Sequence, residues 1–252
     1  MDTLLIVAAA FFAGTLNAVA GGGSFLTLPA LVLIGLPPVV ANATGTVALL
    51  PSYISGAWGF KNDIKAPPGF TLTSLSLISL LGGALGAYLL LLTDPSVFKL
   101  IVPWLLLAST LMFAFGPIVL QRLKASNTCT APITHLTLAP TLGIFAVTLY
   151  GGYFNGGLGI LLLAAFTVLG QTNLNAMNGA KNVVSALLTS IAVLVYAWGD
   201  LVAWPQALVM MVGATLGGYF GARVARRIPS NRLRAGIVVI GLVMTILFFT
   251  NR

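Results

Sequence analysis

The sequence predicts an all-α, polytopic membrane bundle made of two inverted repeats, each a glycine-broken helical hairpin followed by three long transmembrane helices, about eight to ten segments altogether. Three observations lead there. Hydrophobic residues make up 58% of the 252 positions and charged ones only 6%, where a soluble domain carries about a quarter. The mean hydropathy is +1.04, and the apolar residues fall in blocks of membrane-spanning length. The same order of long and short blocks then occurs twice. Residues do not alternate between apolar and polar as an outer-membrane barrel requires, and in lipid only helices then satisfy the backbone.

Apolar blocks run over residues 4–20, 25–34, 39–60, 70–92, 97–120, 138–150, 158–169, 174–198, 204–222 and 235–250. Six of these are expected to cross alone, since about 20 residues span the hydrocarbon. The other four are short and paired. One pair is split by Gly21-Gly22-Gly23-Ser24 and the other by Gly156-Gly157-Leu158-Gly159. A short apolar pair with a glycine break reads as a helical hairpin or re-entrant segment. The second copy begins about 135 residues after the first, with Gly35 matching Gly170 and Ala41-Asn42 matching Ala176-Met177. This divides the chain into a first repeat over 1–125, a connection over 126–137 and a second repeat over 138–252.

The formal charge of +8 sits in the connections between blocks, so it reports topology and not nucleic-acid binding. Arg223, Arg226, Arg227, Arg232 and Arg234 place the connection after the ninth block in the cytoplasm. If each long helix crosses once and each broken pair returns to its own side, Lys61, Lys65, Arg122 and Lys124 also fall inside, while Asp94 and Asp200 fall outside. Lys99 and Arg252 are the basic residues left outside. The repeats come out oppositely oriented and both termini non-cytoplasmic. No basic stretch precedes Leu4, so the first block is expected to belong to the fold.

Several chemistries lack their signatures. The four acidic residues, Asp2, Asp63, Asp94 and Asp200, lie near block ends, and His135 and Cys129 are single and in the polar connection. One cysteine makes neither an internal disulfide nor a cysteine-based metal site. No HExxH, nucleophile elbow or GxxxxGK[ST] occurs. The sequence therefore predicts no catalytic residues, no metal and no cofactor.

Polar side chains inside apolar blocks are the informative exceptions, since each needs a partner or water in lipid. Lys181 is the sharpest, a couple of turns into its block with no acid nearby in sequence; Asn178, Asn182 and Ser185 share its helical spacing. Asn42 and Thr46 form the corresponding face of the first repeat, with Thr44 on an adjacent stripe. One reading is a cationic, amide-lined pocket for an anion. The other is that Lys181 snorkels to the cytoplasmic surface. The glycine breaks add a second positive source: if Ser24 and Leu158 begin half-helices, then Gly22, Gly23, Ser24 and Gly157 present N–H groups to an oxyanion. Asn17 and Asn155 precede the breaks and either cap helix ends or touch the ligand. Gly82, Gly83, Gly86, Gly213, Gly217, Gly218 and Gly221 read as close-packing positions.

Four segments carry a family resemblance: Gly21-Gly22-Gly23-Ser24-Phe25-Leu26-Thr27-Leu28-Pro29; Ala41-Asn42-Ala43-Thr44-Gly45; Tyr150-Gly151-Gly152-Tyr153-Phe154-Asn155-Gly156-Gly157-Leu158-Gly159; and Asn178-Gly179-Ala180-Lys181-Asn182. With these, in order over nearly the full length, the chain resembles the TauE/SafE sulfite-exporter family. The resemblance implies transport of small sulfur-containing or carboxylated organic anions, such as sulfite, across a bacterial cytoplasmic membrane. The second break departs from a plain triple glycine, so the two breaks are expected to differ. Expected partners are thus a small anion and the lipid bilayer, with no nucleic acid. Export suits the energetics, because expelling one negative charge against an inside-negative potential is favourable by about 2.3 kcal/mol per 100 mV. The alternative expectation is a membrane-embedded binding or accessory subunit without transport of its own.

Overall fold

The structure, a computed structural model, describes residues 2–19, 21–126, 138–224 and 230–250. These form ten helices: α1 Asp2–Val19, α2 Ser24–Leu33, α3 Pro38–Gly59, α4 Leu72–Leu92, α5 Pro95–Ser126, α6 Leu138–Phe154, α7 Leu158–Val168, α8 Leu174–Trp198, α9 Trp204–Val224 and α10 Ser230–Thr250. No strand occurs among the described residues. Cys129, His135, Arg226 and Arg227 lie outside them.

Local chemistry sets the helix ends. Pro37-Pro38 opens α3, a proline at the first position losing no helical hydrogen bond. Thr71 and Ser74 form a reciprocal capping box at the start of α4, each side chain bonded to the other's backbone at 3.0 Å. The Asn173 side chain caps α8 by accepting from Asn175 N and Ala176 N. The ends of α2 and α7 are built alike. Gly35 and Gly170 take left-handed φ values of 94° and 87°. At each, the following residue donates back around it, Leu36 N to Leu31 O and Gln171 N to Phe166 O, at 3.1 and 2.9 Å. This is the same Schellman turn at the repeat offset read from the sequence.

Contacts between helices carry the repeat further. Helix α1 packs on α9 as α6 packs on α4; α3 packs on α9 as α8 packs on α4; α3 meets α8 and α5 meets α10. Exchanging the first five helices for the last five returns these pairings. Directions follow from which residues touch. Gly213 of α9 lies against Val7, and Gly217 against Phe11, so α1 and α9 run parallel. Thr148 meets Ile78 and Gly82, and Gly86 meets Leu149 and Gly152, so α4 and α6 run parallel too. Gly56 faces Asn182 whereas Gly179 faces Phe60 and Ile64, which makes α3 and α8 antiparallel. Thr110 against Gly241 and Trp104 against Phe249 make α5 and α10 antiparallel. Equivalent helices thus run in opposite directions, which is an inverted repeat. A Cβ at Gly14, Gly86 or Gly217 would fall within about 2 Å of a neighbouring carbonyl oxygen, so these glycines serve close backbone approach.

Among the described residues, three helical stretches are long and apolar enough to cross a membrane by length and composition: Leu72–Leu92, Pro95–Gly116 and Leu174–Trp198. Asn42, Thr44, Thr46, Ser52 and Ser55 dilute α3. Leu77, Leu81, Leu194, Leu208 and Val212 are exposed on the outside of the bundle, where lipid is the natural solvent. Trp58, Trp198 and Trp204 are exposed close to helix ends, the depth at which indole rings anchor to the interface.

Candidate functional site

Both glycine breaks interrupt helices where the sequence places them. In the first, Gly21 turns the chain at φ 77°; Gly23 already has helical angles of −58° and −34°, and α2 starts at Ser24. In the second, Gly157 turns it at φ 73° and α7 begins at the next residue, Leu158. The left-handed turn therefore stands three residues ahead of one half-helix and directly ahead of the other, the physical content of the departure between the two motifs. The breaks also touch: a Cβ on Gly21 would come within 2.7 Å of the Gly159 Cα.

Polar side chains tie the breaks to α3. Asn17 Nδ2 donates to Ser52 Oγ at 2.6 Å, and the next residue, Tyr53, donates its hydroxyl to Asn155 Oδ1 at 3.0 Å. Asn42 Nδ2 donates to Tyr153 O at 2.9 Å. Tyr150 and Ser109 hydroxyls both reach Gly156 O, at 2.7 and 3.1 Å. Four groups at the breaks keep unmatched valences: Asn17 Oδ1, Asn155 Nδ2, Ser24 Oγ and Thr27 Oγ1 are buried without a hydrogen-bond partner. Asn17 and Asn155 thus both hold protein at one amide atom and leave the other open.

The first-repeat face is less open than its sequence indicates. Thr46 Oγ1 donates to Asn42 O at 2.8 Å, and Thr44 Oγ1 accepts from Ala203 N at 3.0 Å. With the Asn42 amide on Tyr153, these three side chains are engaged in holding helices together.

The second-repeat face is different. Lys181 is 1% exposed and its Nζ has no hydrogen-bond partner. Protein encloses it, against the snorkelling alternative. Asp63, Asp94 and Asp200 are all exposed. Asn182 is buried against Gly56 of α3. Asn178 does not join them: it is half-buried and its Nδ2 returns to Leu174 O at 3.0 Å, a backbone bond within its own helix. Ser185 and Thr189 lie on the same stripe as Lys181, fully buried, and both hydroxyls lack partners. Sequence reasoning noted Ser185 and missed Thr189, although its i+8 spacing from Lys181 was readable.

The α3–α4 connection closes over this end of α8. Phe60 and Ile64 pack on Gly179, and Gln171 Nε2 donates to Lys65 O at 2.9 Å. Among the described residues no group of histidine, cysteine, aspartate and glutamate gathers to hold a metal.

A family model described as "Sulfite exporter TauE/SafE" matches residues 6–248. The chain is 29% identical to a "Probable membrane transporter protein" of Haemophilus influenzae, over 93% of this chain and 89% of that one. It is 29% identical to "Probable membrane transporter protein ORF9" of a Sinorhizobium species, over 94% and 88%. Against "Probable membrane transporter protein YfcA" of Escherichia coli K12 the identity is 25%, over 94% and 85%. No solved structure matches the chain significantly.

Proposed function

The chain belongs to the sulfite exporter TauE/SafE family, and from that premise we propose that it moves a small anion, sulfite or a related sulfonate or carboxylate, outward across a bacterial inner membrane. The observation that carries this reading is the enclosed, unpartnered ammonium of Lys181. An isolated buried charge costs several kcal/mol unless a counter-charge meets it, and among the described residues no carboxylate does. An anionic cargo supplies that charge while it is bound. Asn182, the residue after Lys181 on α8, is buried, and at the glycine breaks Asn17, Asn155 and Ser24 keep open polar atoms; amides and hydroxyls are suited to holding an anion rather than to breaking a bond.

Alternating access would operate between the two inverted halves, as in other inverted-repeat carriers. The hydrogen bonds that cross between halves, Asn42 to Tyr153, Tyr53 to Asn155 and Ala203 to Thr44, are the contacts that such a movement would remake. The lysines and arginines of the connections support the orientation with both termini outside. No carboxylate faces the interior as a proton carrier, which favours movement driven by the membrane potential.

Purified protein in liposomes tests the proposal. Labelled sulfite or a short sulfonate should cross only with protein present, and Lys181→Gln should slow it at least tenfold. Undiminished transport by Lys181→Gln would overturn the site, and no transport of any anion in a broad panel would favour the accessory-subunit alternative.

A further inference from the structure

Serine and threonine inside a helix usually donate to the carbonyl four residues back. Many such residues in this bundle do so: Ser79 to Leu75, Ser109 to Leu105, Thr110 to Leu106, Thr167 to Leu163 and, on α8 itself, Ser190 to Ala186. Ser185 and Thr189 do not. Both are 0% exposed, and neither hydroxyl has a partner on its own backbone or elsewhere. With Lys181 they occupy positions i, i+4 and i+8, a row that winds about 80° around the helix while rising about 12 Å along its axis. Three unmet donors in a row, each buried in protein and out of reach of lipid, need an acceptor that the chain does not provide.

The first repeat offers no counterpart. At the repeat offset Lys181 matches Thr46, whose hydroxyl is bonded to Asn42 O, while Ser185 and Thr189 match Leu50 and Ile54. The polar row on α8 therefore has no equivalent on α3, although the fold is two-fold.

We propose that Ser185 and Thr189 form a second subsite, which takes a hydrogen-bond acceptor on the far end of an anion whose charged group lies at Lys181. The inference rests on the anion reading of Lys181 and adds a cargo requirement to it. At about 1.5 Å per residue, Ser185 lies about 6 Å and Thr189 about 12 Å beyond Lys181 along the helix axis. One compact oxyanion does not reach both ends of the stripe; an anion with a hydroxyl, carbonyl or carboxylate a few bonds from its charged group does. Ser185 and Thr189 are then specificity-determining residues, and Lys181 is the charge-binding residue.

Two probes differing only at the far end test this in liposomes: propane-1-sulfonate and 3-hydroxypropane-1-sulfonate. Wild-type protein should move the hydroxylated probe about tenfold faster at low concentration. Ser185→Ala and Thr189→Val should each cut that preference by about threefold or more, the worth of one neutral hydrogen bond. Thr189→Ser retains the hydroxyl and should retain the preference, which separates lost donation from misfolding. Equal rates for the two probes in wild type, or a preference unchanged in both Ser185→Ala and Thr189→Val, would overturn the second subsite. Lys181→Gln should slow both probes alike. If it slows neither, the anion reading itself fails; if it slows both while the ratio ignores Ser185 and Thr189, only the subsite fails.

Discussion

Substituting Gly21 by alanine probes the contact between the two glycine breaks. Two separate terms add at this position. Gly21 has φ 77°, and holding an L-residue in the left-handed region costs about 1–2 kcal/mol. The added methyl would also lie 2.7 Å from the Gly159 Cα, a backbone atom that does not swing aside, and such overpacking costs about 1–3 kcal/mol more. Gly35 supplies the control. It has φ 94° and nothing within 4 Å of a Cβ, so Gly35→Ala should show the conformational term alone. Gly21→Ala should therefore destabilise by about 2–5 kcal/mol and Gly35→Ala by about 1–2 kcal/mol. Reversible denaturation in mixed micelles measures both on one scale. Equal losses in the two variants would refute the direct packing of one break on the other.

Two further outcomes concern hydrogen bonds at Tyr53 and Asp94. Tyr53→Phe removes the bond between α3 and the second break, leaves the whole Asn155 amide unmatched, and should destabilise by about 1–3 kcal/mol in the same denaturation assay; an unchanged midpoint would show that the bond contributes nothing. Asp94, exposed ahead of α5, accepts from Ser96 N and Ser96 Oγ at 2.8 and 2.6 Å, and these bonds hold its carboxyl below the usual carboxylate range. Because the folded-state pKa is the lower one, the stabilisation is complete above the unfolded carboxyl's pKa and fades as pH falls through the folded one. Melting curves of Asp94→Asn against wild type should diverge at neutral pH and converge in acid, and a gap independent of pH would rule this out.

Much of this architecture was legible because the signals were local. Block length and glycine breaks gave the helix order, and Gly35 with Gly170 gave the repeat offset that the two Schellman turns then realise. Lys181 stood out because a lysine among apolar residues either snorkels or is enclosed; spacing alone does not say which, and the fold encloses it. What the sequence could not convey were partners distant along the chain. Thr44 and Asn42 read as open ligand donors, yet the first accepts from Ala203, 159 residues away, and the second donates to Tyr153, 111 residues away. Asn178 has the helical spacing to face the lysine but sits at the margin of that arc, close enough to the end of α8 to turn back to Leu174. Spacing locates a side chain on a helix; it does not say which neighbour claims it.

The partnership of α1 with α9 has a consequence for how the protein is made. Thr15 of α1 donates to Gly217 O of α9, a residue 202 positions later, and Gly14 closes on Ala214 in the same seam. At about 5–20 residues per second, ribosomes need roughly 10–40 s to synthesise that interval. Helix α1 must wait without its principal neighbour until α9 has been made. The first five helices are thus incomplete by themselves, and the seam along α1 closes only when α9 arrives.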